Sequence, residues 1–461
     1  MMSSRIDFIR FASLSMVVVA LTAAAIAVTE RLGAPGRALG MAAVGITLGL
    51  AVAAGLASGT MRLPAFLTQG RTLPAAGASL ATAATWPWAF PGQSPVAAAA
   101  GLLLAAFLLA PALRRSGAPT WASFIGTRFA SPLARALAAV VVGAGSFGLG
   151  TAALAAAAGV VSRVFGMGGP QAAALVAAVV GCMTLPGGAR GQTRAAVALG
   201  LAALGAAAML WFGRPAASPE RFAAALSPLM GPNGLALGVA GALAALASPA
   251  SQTIWPGVEK TEDCRIALLW AAVLTGALAY AVSPAATPAD GLFPAIAADV
   301  FAAAVAMAAA GAFLLAAGQA LAFDLRARVD RRRTPASLRF AQIRLACLAI
   351  VAAAGVAAAF APGVAAAQAG PASAILVGAL LPPVLLGAGW DRANAAGAIA
   401  SLCVGLAASL ALVGGRLGPE GLGDAAAGLC ACAIGLAAGA AASLLTRRSP
   451  QVPRPLHDDM L

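Results

Sequence analysis

Residues 295–322 read AIAADVFAAAVAMAAAGAFLLAAGQALA, an apolar run whose one charged side chain is Asp299, near one end. About 20 such residues in a helix cross the roughly 30 Å of hydrocarbon in a bilayer. Comparable runs recur at 11–28, 38–56, 73–90, 95–112, 136–160, 170–187, 195–213, 233–250, 266–284, 345–362, 370–388, 393–414 and 425–445. Lipid offers backbone groups no partners, so each span must be a helix or part of a closed barrel. Barrel strands are short, alternating and rich in Val, Thr and Tyr, whereas these runs are long and rich in Ala and Leu, and the chain has one tyrosine, Tyr280. The expected fold class is all-α: a polytopic membrane protein of about fourteen transmembrane helices. Composition agrees, with 61% apolar and 10% charged residues and a mean hydropathy of +0.91, against about 25% charged in soluble domains.

The net charge of +14 raises nucleic acid as a partner, and its distribution dismisses it. With a cytoplasmic N-terminus, loops on that side hold 23 of the 29 Lys and Arg and the outer loops hold 6, as positive-inside orientation requires. The charge therefore orients the chain in the cell (inner) membrane, with the bilayer as a partner and the C-terminus cytoplasmic. The first span, after Arg5 and Arg10, also fits a secretory signal with small residues from Thr22 to Ala27. Both readings, cleaved signal and retained anchor, leave the same orientation for the rest. Nothing in the sequence sets an oligomeric state.

The chemistry available to such a chain is narrow. The single histidine, His457, lies in the polar tail, and the six cysteines lie in or beside spans without metal-ligand spacing. Neither a metal site nor a bound cofactor is expected. Gly143-x-Gly145-x-x-Gly148 matches the dinucleotide fingerprint in form, but that motif follows a strand. Inside a membrane span, small residues that let helices pack closely are the better account. With no Walker motif and no acid–base constellation, an enzyme is not expected.

Two spans are broken, and their polar residues sit at the break. One runs Ser79-Leu80-Ala81-Thr82-Ala83-Ala84-Thr85-Trp86-Pro87-Trp88, then Pro91-Gly92. The other ends Ser248-Pro249-Ala250-Ser251-Gln252-Thr253. Proline inside a helix frees a carbonyl and kinks the chain, which at membrane depth is tolerated only against protein or a cavity. The two spans lie five apart and so cross in opposite directions. That is the pattern of a five-plus-five inverted repeat, with a transport site between the two broken helices. The division that follows is 1–72 for two N-terminal helices, 73–213 and 233–388 for the repeats, 393–445 for two C-terminal helices and 446–461 for a cytoplasmic tail.

The loops bring a family into view. Leu113-Arg114-Arg115-x-Gly117-x-x-Thr120-x-x-x-Phe124-x-x-x-Arg128-Phe129 resembles the cytoplasmic loop of sodium/solute symporters. Gly70-Arg71, Gly187-Gly188-Ala189-Arg190-Gly191 and Asp324-Leu325-Arg326 are similar to further motifs of that family, and the order holds over about 60–390. The look is closest to the monocarboxylate (acetate-type) branch. The resemblance implies an inverted-repeat secondary transporter, and it places the family's sodium-binding Ser/Thr pair on Ala308 and Ala309. The family's aspartate in the first core helix falls on Thr85, and an arginine common after the second broken helix has Ile254 or Trp255 near its place. Without those oxygens, sodium as coupling ion is not expected to operate in the ordinary way, because carbonyls alone must offset dehydration of the ion.

The expected function is thus symporter-like transport of a small organic solute, monocarboxylates among the candidates, by alternating access. Thr82, Thr85 and Trp86 from one break and Ser248, Ser251 and Gln252 from the other are the expected solute-pathway residues. The alternative is a non-transporting or sensory membrane protein built on a symporter fold.

Overall fold

The computed structural model describes residues 2–85, 95–212, 234–282, 292–325, 335–413 and 423–446. Among them the regular structure is helical, and the extended pairing is one isolated parallel bridge between Leu73 and Val258. Ten of the described helices are long and apolar enough to cross a membrane, or eleven if the bent pair Val96–Leu108 and Ala110–Ser116 forms one span. The other three expected spans coincide with α4 (Ala75–Thr85), described only to Thr85, and with α9 (Gly169–Thr184) and α13 (Thr261–Val282).

Before these come α1 (Met2–Arg31), α2 (Gly36–Leu56) and the short α3 (Leu63–Thr68). The chain turns from α3 into α4 through Gln69, Gly70 and Arg71, all at positive φ. The bent pair is α5 (Pro95–Leu108) with α6 (Ala110–Ser116), and α7 (Trp121–Arg128) lies in the arginine-rich loop. The centre of the molecule is two long helices, α8 (Pro132–Phe165) and α14 (Leu292–Gln319), with α10 (Ala189–Phe212) against the latter. Ser131 caps α8 by accepting the Ala134 N–H, and Pro132 holds the first turn, where its missing N–H is no loss.

Helices α8 and α14 run antiparallel, and an ion pair staples each end of the pair. Arg135 meets Asp324 at 2.9 Å and Arg163 meets Asp299 at 2.6 Å. Between the staples, leucines enter glycine notches: a side chain on Gly150 would meet Leu314, and one on Gly143 would meet Leu321. Gly145 and Gly148, on the far side, take Leu376 and Ala372 in the same way. The fingerprint-like glycines are therefore a helix-packing surface.

The second break lies between α11 (Gly234–Ala247) and the single turn α12 (Ser251–Ile254). Pro249 has no N–H to donate, so the ladder ends at Ser248, whose N–H reaches back to Ala245 O at 3.4 Å. A turn at Trp255–Gly257 leads out toward α13. Later come α15 (Ala336–Phe360), α16 (Pro362–Ala367), α17 (Ala369–Ile375), a wide π-turn (Leu376–Leu380), α18 (Leu381–Gly389), α19 (Ala395–Leu412) and α20 (Asp424–Leu445).

Helices α19 and α20 form a hairpin that packs on the π-turn. A Cβ on Gly405 would fall on the Gly378 carbonyl oxygen, backbone that cannot yield. Gly405→Val should therefore cost about 1–3 kcal/mol through overpacking. The check is heat denaturation of the purified protein in detergent, where an unchanged melting temperature would contradict this packing.

Candidate functional site

Four elements converge beside the second break. Helix α4 packs on α10 and α14, and the turn α12 packs on all three. Thr82, on α4, is buried and its Oγ1 has no hydrogen-bond partner. The same holds for Ser248 Oγ and Trp255 Nε1 at the break, Gln192 Oε1 on α10 and both amide atoms of Gln319 on α14. An unpaired buried polar group costs about 1–3 kcal/mol. These atoms sit on elements that pack against one another.

The other expected residues are more committed. Thr85 donates back to Thr82 O at 2.9 Å on its own helix. Ser251 Oγ donates to Ser248 O at 2.6 Å and accepts from the Trp121 indole at 2.9 Å. Gln252 Oε1 accepts the Trp121 backbone N–H at 3.1 Å, and its Nε2 donates to Ala316 O at 3.4 Å. Trp86 lies outside the described residues. So Thr82 and Ser248 keep free hydroxyls, while Ser251 and Gln252 hold the break against the loop helix α7.

That docking is part of a closed end. The Leu73 N–H donates to Gly257 O at 2.9 Å, and the Glu259 N–H to Leu73 O at 3.3 Å, tying the entry of α4 to the exit of the second break. Arg114 donates to Val258 O at 2.8 Å and Glu259 O at 2.7 Å, and Gln69 Nε2 to Thr253 O at 2.9 Å. The Trp121 ring packs edge-on against Trp255, centroids 6.2 Å apart. Just below, the last turn of α14 widens into a π-turn, Ala320–Leu325, that carries Asp324 into the seam. Single π-turns inside α-helices concentrate at functional sites. Asp324, 0% exposed, accepts from Thr120 Oγ1 at 2.7 Å and Arg135 Nε at 3.0 Å. One carboxylate thus joins α7, α8 and α14.

Ala308 and Ala309 are both fully buried in the face of α14. Neither has a side-chain oxygen, and the Ala308 carbonyl already accepts from Gln192 Nε2 at 2.8 Å. Gly311 makes room for this approach, since a Cβ there would fall on Gln192 Oε1. Residues at this position do not fit a sodium shell: a donor N–H faces the carbonyl that a cation would need. Among the described residues no cluster of three His, Cys, Asp or Glu side chains could hold a metal ion.

No protein-family model matches the chain, and no curated protein matches it in sequence. A solved structure of a Na+-coupled sialic acid symporter, in a substrate-bound outward-open state, matches with a TM-score of 0.72. The match covers 90% of this chain and 98% of that one at 17% identity. The fold is that of a symporter. At this identity the likeness carries the architecture and leaves the site to be argued from this chain's own residues.

Sequence reasoning did not single out Gln192, Gln319, Trp121 or the pairing of Arg135 with Asp324. A signal existed for two of them: an amide inside an otherwise apolar span, as at Gln319, is as costly unpaired as a hydroxyl. Removing Arg135 alone, as Arg135→Met, leaves a buried carboxylate without its counter-ion and should cost about 3–5 kcal/mol. Replacing both partners, Arg135→Met with Asp324→Leu, should recover most of that loss. Melting in detergent checks the cycle; equal destabilisation by the single and double changes would refute the pairing.

Proposed function

We propose that this chain is a secondary transporter of a small organic solute, multi-pass in the cell membrane, working by alternating access. The observation that carries it is the pairing of the two broken elements within a symporter fold. The entry of α4 bonds to the exit of the second break, and unpartnered buried polar atoms lie on these elements and on the helices packed against them. In this reading fourteen spans form the five-plus-five inverted repeat at 73–213 and 233–388, flanked by two helices on either side. The arginine-rich end is cytoplasmic, as is the C-terminus. Because the network of Leu73, Arg114, Trp121 and Asp324 seals that end, the conformation is one closed to the cytoplasm.

Thr82 and Ser248 are the first solute ligands, with Trp255 Nε1 as a donor beside them. Thr85, Trp86, Ser251 and Gln252 complete the pathway once the cytoplasmic end opens and releases Trp121. Binding through neutral donors and acceptors suits a small polar solute, and monocarboxylates head the panel to be tried. Sodium is not expected to drive uptake, since Ala308 and Ala309 supply no hydroxyl and Gln192 occupies the Ala308 carbonyl. That last observation also favours a second reading, a sensory protein that keeps the fold and binds solute without moving it.

Reconstitution into proteoliposomes separates these readings. Labelled monocarboxylates and amino acids should be taken up at similar rates in Na+ and in choline at equal ionic strength. Strong, saturable stimulation by Na+ would overturn the reading of Ala308, and binding without uptake would favour the sensory protein. Thr82→Val and Ser248→Ala should each weaken solute binding about tenfold, the worth of one hydrogen bond, while leaving the melting temperature in place. Unchanged binding in both would remove the solute from this position. Cysteine labelling should find residues 114–135 accessible from the cytoplasm alone.

A further inference from the structure

Where α15 leaves the arginine-rich end, its first turns form one wall of a groove of about 1120 Å³, and Thr60, Met61 and Pro186 form the other. Ser337, Phe340, Arg344 and Leu348 recur on the groove face of α15 at helical spacing. The groove changes character along its length. Ser337 and Arg344 lie toward the helix start, while Leu345 and Leu348, 65% and 48% exposed, continue it along the apolar body of the span.

Arg344 is held in place rather than neutralised. Its Nη2 donates to Thr60 O at 2.8 Å and Pro186 O at 2.7 Å, and the guanidinium lies over the Phe340 ring, 4.3 Å from the centroid. No carboxylate among the described residues pairs with it. Nη1 meets only Met61 Sδ at 3.8 Å, a weak acceptor. The result is an oriented cation with a spare N–H at Nε and no paired carboxylate among the described residues, in the first turns of an apolar span. Arg339, five residues earlier on α15, and Arg62, next to the groove residue Met61, are both exposed.

We propose that this groove binds one anionic phospholipid, its phosphate on Arg344 and Ser337 and its acyl chains along Leu345 and Leu348. Charge complementarity selects the headgroup, and the amphipathic run of the groove selects a lipid over a free anion. A basic pocket between helices at the cytoplasmic face is a setting in which acidic headgroups bind. The inference rests only on the chain spanning a membrane and is independent of what is transported.

The test uses the full chain in neutral detergent, titrated with dioleoyl phosphatidylglycerol, with dioleoyl phosphatidylcholine of the same chains, and with soluble glycerol 1-phosphate. Phosphatidylglycerol should raise the melting temperature saturably by about 3 °C or more; the other two should leave it unchanged. Arg344→Gln should abolish the rise. That change also removes the clamp on Thr60 and Pro186, so Ser337→Asp is the second variant. It keeps every Arg344 bond and suits the first turn of a helix, yet sets a negative charge against the phosphate, and it should cut apparent affinity at least tenfold. An equal rise with both lipids, or a full response in Ser337→Asp, would overturn the proposal. A rise with glycerol 1-phosphate alone would assign the site to a soluble phosphate instead.

Discussion

A helix broken at membrane depth leaves carbonyl oxygens that water cannot reach, and satisfying them is the constraint on which this structure depends. The donors come from side chains far away in sequence. Gln69 serves Thr253 O, and Arg114 serves Val258 O and Glu259 O just past the break, while Gln192 adds a bond to Ala308 O within the unbroken α14. Arg128 serves Gly387 O, and Arg344 serves Thr60 O and Pro186 O. In each case a long, multi-donor side chain reaches across an interface to main chain. These glutamines and arginines thereby tie distant segments of an apolar chain together.

Those bonds also define what must change for alternating access. Each is worth about 1 kcal/mol net when exchanged for another partner, but the loss of a donor leaves a carbonyl stranded at greater cost. Opening the arginine-rich end therefore requires new partners for Val258, Glu259 and the Trp121 amide, and water entering the seam can supply them. In the proposed cycle Ser251 and Gln252 then lose Trp121 as a partner. The Asp324–Arg135 pair binds α14 to α8, and the Thr120 bond to the same carboxylate is the one that must break if α7 moves away from them. A ligand shifts such an equilibrium only through contacts that differ between the two states, and the proposed solute would make them through the free hydroxyls of Thr82 and Ser248.

Small residues make the close approaches possible. Lipid gives helices little hydrophobic reason to associate, so packing has to come from shape. Leu314 and Leu321 of α14 fill the notches at Gly150 and Gly143, and Cys347 lies against Gly318. Gly311 does the same for an amide, admitting Gln192 to the Ala308 carbonyl. A larger residue at 311 would displace the amide.

The sequence by itself determined the helical, membrane-embedded class, the position of most spans, the break at Pro249 and the crowding of arginines at one end. Each is written locally: apolar length must match the bilayer, proline lacks an N–H, and charge cannot reside in hydrocarbon. The role of Ala308 was half legible, since the missing hydroxyl is visible in the sequence and the amide that takes its place is not. Only the tertiary structure decided that Gln192 meets Ala308, that Trp121 docks on Ser251 and Gln252, that Thr120 and Arg135 share Asp324, and that Arg344 faces a groove without a carboxylate. These partners lie more than a hundred residues apart, and no helical period or turn rule relates them. They follow from which helices pack side by side, which is set by the matching of notch and knob over whole faces at once.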